Sequence, residues 1–155
     1  MGPLASPNSR RQDQDYFIAD EGFALGDVLV NTSQPVSTGN AFLAGPAAIY
    51  ADARQGDHFS YTLTGLQPGL VHVVILHFAE LYWSLPLHRR FDVSINGAPV
   101  LTDFDIVSAA NGPFRAVTQL FFVSSNADGS IEVEFSRGSI DQPLVSGIEV
   151  RFISG

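Results

Sequence analysis

The sequence predicts an all-β protein, an antiparallel β-sandwich, and three observations carry that prediction. Apolar and polar residues alternate with a period of two along several stretches. No window keeps the i, i+3, i+4, i+7 apolar pattern of an amphipathic helix. Pro, Gly and Asn-Gly or Asp-Gly turn signals recur about every ten residues.

The elements follow in order. The opening "MGPLASPNSRRQDQD", residues 1–15, lacks an apolar core of its own and reads as a disordered leader or a cloning scar. Residues 16–155 then form one sandwich domain. Weak strands lie at "YFIAD" and "DVLVN", and the Gly-, Pro- and Ala-rich stretch from Asn31 to Asp57 loops over one edge or end. "HFSYTLTG" is expected to form a hairpin with "LVHVVILHFA" across Pro68-Gly69, the middle of a type II turn. The second of these strands is apolar on nearly both faces and reads as central.

"FDVSING" sends Phe91, Val93 and Ile95 inward, leaves Asp92 and Ser94 in water, and turns at Asn96-Gly97. "FDIV" reads as a weak strand. "AVTQLFFVS" leads through Asp128-Gly129 into "SIEVEFS", where Ile131, Val133 and Phe135 alternate with Glu132 and Glu134. "GIEVRFI" repeats the pattern, with Glu149 and Arg151 on the wet face.

Composition narrows the function. With 155 residues, 45% hydrophobic and 15% charged, the chain builds a globular core. A net charge of -8 argues against nucleic acid, whose phosphates need a basic footprint. All eight basic residues are Arg, and there is no Cys, so disulfides and thiolate chemistry are excluded. No apolar run reaches the roughly 18 residues of a membrane span, so no membrane insertion is expected.

Catalytic signatures are absent: no phosphate-binding glycine loop, no GxSxG and no HExxH. Glu80, Asp103, Asp105 and Asp141 are the acids a small glycosidase would draw on, but no spacing singles out a pair. Asp103 and Asp105 share a face at i, i+2, so a structural calcium is left open although no cofactor is expected. His72 and His77 lie on opposite faces of one strand and read as ordinary histidines.

The stretch "HFAELYW" raises a separate question. Adjacent strand residues point to opposite faces, so Tyr82 and the single Trp83 cannot both enter a core if the strand continues. Glu80 reads as a structural acid near them, paired with Arg54, Arg89 or Arg90. The two aromatics fit either a core or a ligand site, and the local pattern does not choose between these.

"LHFAELYW", "RRFDVSING" and "DFDI", in that order, together with the closing "SIDQPLVSGIEV", resemble the malectin and malectin-like family from about Phe17 to Phe152. The resemblance implies a jelly-roll-like sandwich and a noncatalytic carbohydrate-binding module. Its ligand would be an oligosaccharide or polysaccharide, with a glucose-containing glycan favoured. Tyr82 and Trp83 stand at the family's paired aromatic position, and Asp141 at its ligand-binding Asp. Gln55 follows Ala53-Arg54 where the family carries an aromatic, and Tyr50 is the aromatic placed to compensate as a pocket wall. A secreted or cell-envelope domain of bacterial origin, tethered to a catalytic or receptor domain, is expected. A protein-interaction domain and a small glycosidase are the alternatives.

Overall fold

The computed structural model describes residues 8–11, 23–24, 28–32, 34–39, 41–45 and 47–153. "YFIAD" lies outside the described residues. Among the described residues, twelve strands form three sheets. The first contains β1 (Asn8–Arg11), β12 (Gly147–Phe152), β6 (Val71–Phe78) and β9 (Val117–Ser124), in that spatial order. The second contains β2 (Phe23–Ala24), β5 (His58–Leu63), β10 (Ile131–Ile140), β7 (Arg90–Ile95) and β8 (Ala98–Phe104). A small third sheet joins β11 (Leu144–Val145), β4 (Asp52–Gln55) and β3 (Val28–Asn31).

The expected alternation builds the core. Phe91, Val93 and Ile95 of β7 and Ile131, Val133 and Phe135 of β10 point from the second sheet toward Val74, Leu76 and Phe78 of β6 and Ile148 and Val150 of β12. All of these are buried, and Phe59, Tyr61 and Leu63 of β5 complete the layer. Among the described strands every ladder except the parallel β1–β12 pair is antiparallel, and an isolated parallel bridge joins Ser37 to Arg115.

Several expectations change. Asn8–Arg11, inside the expected leader, pairs with Gly147–Val150. A sheet edge offers backbone partners, and a segment needs no apolar side chains to use them. The Asn31–Asp57 stretch is not all loop, because β4 lies within it, preceded by a short 3-10 turn at Ala47–Ala51. β5 and β6 do not form a hairpin. The Pro68-Gly69 turn, with Gly69 at φ 67°, carries the chain from one sheet to the other. The Asn96-Gly97 turn does make a hairpin, with both residues at positive φ as a type I′ turn requires. "FDIV" ends β8 at Phe104 and then becomes a short helix, α1 (Ile106–Ala110). Asp105 caps it by accepting from Ser108 N–H at 3.1 Å, and Asn111 closes it in the left-handed region.

The outer face of the first sheet is not wet where Glu149 lies. The segment carrying Val36, Ile49 and Tyr50 covers it. Glu149 is fully buried there and holds Arg151 Nε at 2.8 Å and His77 Nε2 at 3.0 Å. His72 and His77, which read as ordinary histidines, are likewise enclosed on the two faces of β6. His72 Nδ1 lies 2.8 Å from the Leu70 carbonyl.

Candidate functional site

β6 ends at Phe78, and the chain bends at Leu81-Tyr82. The alternation rule stops there, which frees both aromatics to face one end of the sandwich. Glu80 fixes the bend. Its Oε2 accepts from the Tyr82 N–H at 3.1 Å and the Trp83 N–H at 3.3 Å. Arg89, just before β7, donates Nε to Oε1 at 2.7 Å and Nη2 to Oε2 at 3.2 Å. Arg89 Nη1 also donates to the Gln142 carbonyl at 2.6 Å. Glu80 is fully buried and Arg89 is 3% exposed. One ion pair therefore ties the aromatic bend to the start of β7 and to the Asp141 loop.

Trp83 is held on several sides. Its Nε1–H donates to Asp141 Oδ2 at 2.7 Å. His88 stacks on it with ring centroids 4.7 Å apart and planes 17° off parallel. Tyr82 meets it edge-on at 4.7 Å. Tyr82 itself is 73% exposed, and Leu85 and Leu87 beside it in sequence are also exposed.

Asp141 sits at φ 61°, and its Oδ1 accepts from the Gln142 N–H at 2.7 Å. A carboxylate has about four acceptor positions, so two remain for other donors. A polar ledge continues from it. Arg137 Nη1 donates to the Asp141 carbonyl at 3.2 Å, and Arg137 Nε to Asp57 Oδ1 at 2.8 Å. Gln142 Nε2 donates to the same Asp57 oxygen, and Gln55 Nε2 donates to Gln142 Oε1, both at 2.9 Å. The Gln142 and Arg137 bonds hold the Asp57 carboxyl below its ordinary range.

The structure thus brings Tyr82, Trp83 and Asp141 together and sets Glu80 behind them. Tyr50 is different. It is fully buried, its hydroxyl accepting from Gly45 N–H at 3.1 Å and pairing with His77 Nδ1 at 2.7 Å. The covering segment that encloses Glu149 encloses Tyr50 too, so it supports the fold and presents no wall to solvent. Burial pushes its hydroxyl up to about 12. Arg54 is buried on β4 and hydrogen-bonds the Tyr61 hydroxyl; the acid it was expected to share, Glu80, is held by Arg89.

Asp103 Oδ1 accepts from Ser139 N–H at 2.8 Å, and Asp105 Oδ2 accepts from Leu87 N–H at 2.6 Å. Both acids brace loops. Among the described residues, no group of three or more His, Cys, Asp or Glu converges as metal ligands do. Sequence reasoning missed His88, Gln142, Arg137 and Asp57 as neighbours of the aromatics. Only the spacing of Arg137, Asp141 and Gln142 within one segment hinted at shared geometry.

The profile of the Malectin domain family matches residues 5–148. Malectin-A of Xenopus laevis is 30% identical over 104 residues, covering 59% of this chain and 37% of that protein. The chain therefore spans well under half the length of this curated relative. The ANX2 ectodomain from Arabidopsis thaliana superposes with a TM-score of 0.72 at 15% identity, over 81% of this chain and 39% of the other. A chain from the complex of the plant peptide RALF23 with FER and LLG2 superposes with a TM-score of 0.70 at 16% identity, over 96% and 46%. These likenesses give the all-β sandwich fold, and they lend no support to a bacterial source. No described helix is long and apolar enough to cross a membrane.

Proposed function

The chain belongs to the malectin domain family, and on that premise we propose that it is a noncatalytic carbohydrate-binding module for a neutral, glucose-containing oligosaccharide or polysaccharide. The observation that carries this reading is the 73% exposure of Tyr82, held edge-on against a Trp83 that is itself locked in place. A rigid aromatic face covers the flat C–H face of a sugar at little entropic cost. Tyr82 is the stacking surface and Trp83 its brace. The unused acceptor positions of Asp141 take hydroxyl protons. Glu80, with both oxygens engaged, positions the loop.

Affinity is modest, because sugar hydroxyls give back in desolvation much of what they gain in hydrogen bonds. The setting is extracellular, in a longer protein that tethers the module to a receptor or catalytic domain. Titration with gluco-oligosaccharides, read by the fluorescence of the single Trp, tests the proposal. A saturable change, lost in Tyr82→Ala and weakened in Asp141→Ala, with no reducing ends released, supports it. Released reducing ends would show an enzyme instead.

One observation favours a second reading, a protein-interaction domain. Leu85 and Leu87 extend the exposed surface with side chains that have nothing to offer hydroxyls. Silence toward every glycan, together with binding of a peptide or protein that Leu85→Ser abolishes, would establish it.

A further inference from the structure

The outer edges of the two main sheets are built differently. β8, the edge of the second sheet, carries Pro99, an Asp103 at φ 50° and two register shifts against β7. Proline, charge and irregularity are the devices that keep an edge strand from pairing with another chain. β9, the edge of the first sheet, has none of them. It runs eight residues, Val117–Ser124, in unbroken register with β6, and its sequence VTQLFFVS carries no charge. Among the described residues, no strand pairs with its far side.

Its outward face is apolar as well. Val117, Phe121 and Val123 pack on the core, so Thr118, Leu120 and Phe122 point the other way. Phe122 is 70% exposed. Among the described residues the covering segment meets the start of the strand, where Ala116 N–H donates to the Ser37 carbonyl at 2.8 Å and Thr118 Oγ1 donates to the Phe42 carbonyl at 2.5 Å.

We propose that β9 is a self-association edge, pairing antiparallel with β9 of a second copy about a two-fold axis. A two-fold contact brings the same patch together twice and needs self-complementarity. Centred on Phe121, the pairing sets Leu120 of each copy opposite Phe122 of the other on the outward face. Aromatic–aliphatic pairs of this kind stabilise antiparallel ladders. Charge also fits. A chain of net charge -8 repels its copy, and the uncharged β9 is a place where that repulsion is weak. Ser37 bridges Arg115 and accepts from Ala116 N–H at 2.8 Å, so the edge left free for a second copy runs from Thr118 to Ser124.

Sedimentation of the whole chain up to about 1 mM, the range of the weakest specific contacts, tests this. The expected result is a dimer whose fraction rises with concentration. Phe122→Lys, at an exposed position, weakens it at least about tenfold, while circular dichroism shows the fold unchanged. A wild-type chain that stays monomeric throughout overturns the proposal, and so does a dimer indifferent to Phe122→Lys. Glycan titration of the same variant reads the separate Tyr82 site.

Discussion

At the scale of single residues, Glu80 and Tyr50 show what sequence could and could not say. Glu80 was legible as a structural acid because a carboxylate following a buried strand must be paired, and Arg89 was among its three expected partners. Tyr50 was not legible. Its burial depends on a covering segment distant from its own strand pattern, and no local period encodes that. Glu80→Gln should leave the Arg89 guanidinium buried beside a neutral amide and cost about 3–5 kcal/mol. Urea denaturation measures this, and a loss below about 1 kcal/mol would show the pair to be dispensable. Tyr82→Ala, at a 73% exposed position, should change stability by no more than about 0.5 kcal/mol while abolishing glycan binding. A loss of both together would make Tyr82 a structural residue.

At the scale of elements, turns were legible and their partners less so. Asn96-Gly97 announces a hairpin because few other residues accept positive φ in succession. Pro68-Gly69 announces a turn equally well, yet the turn joins two sheets, since a turn's chemistry does not say which strand lies next to which. Two of the positive-φ turn glycines, Gly97 and Gly129, give a paired test. A Cβ on Gly129, at φ 78°, would lie 2.6 Å from the Leu66 carbonyl oxygen, whereas one on Gly97, at φ 82°, meets nothing within 4 Å. Gly97→Ala should cost about 1 kcal/mol of backbone strain, and Gly129→Ala clearly more, because rigid backbone must also shift. Equal melting temperatures for the two variants would contradict the tight contact at Leu66.

At the scale of the whole molecule, the sandwich and its family were legible because alternation and ordered motifs run along most of the chain. The enclosure of the first sheet's outer face was not, since "GIEVRFI" reads as half-wet in isolation. That enclosure has a measurable signature at high pH. Tyr50 keeps its proton to about 12 when folded, against an ordinary 10.0, and burial pushes Tyr61 up in the same direction. Between these values the unfolded chain has released protons that the folded one retains. Stability is therefore fully present below about pH 10 and falls as pH rises toward 12, by about 1.4 kcal/mol per pH unit for each tyrosine. Urea titrations at stepped pH should show the decline, and Tyr50→Phe should make it shallower. The parallel ladder of β1 and β12 carries a consequence of another kind. The chain enters β1 at one end of that ladder and leaves β12 at the other. Tension drawn through both ends of the domain would therefore slide the two strands along each other, loading their hydrogen bonds together instead of unzipping them singly. A module strung between an anchor and a moving partner would meet force in its stiff direction.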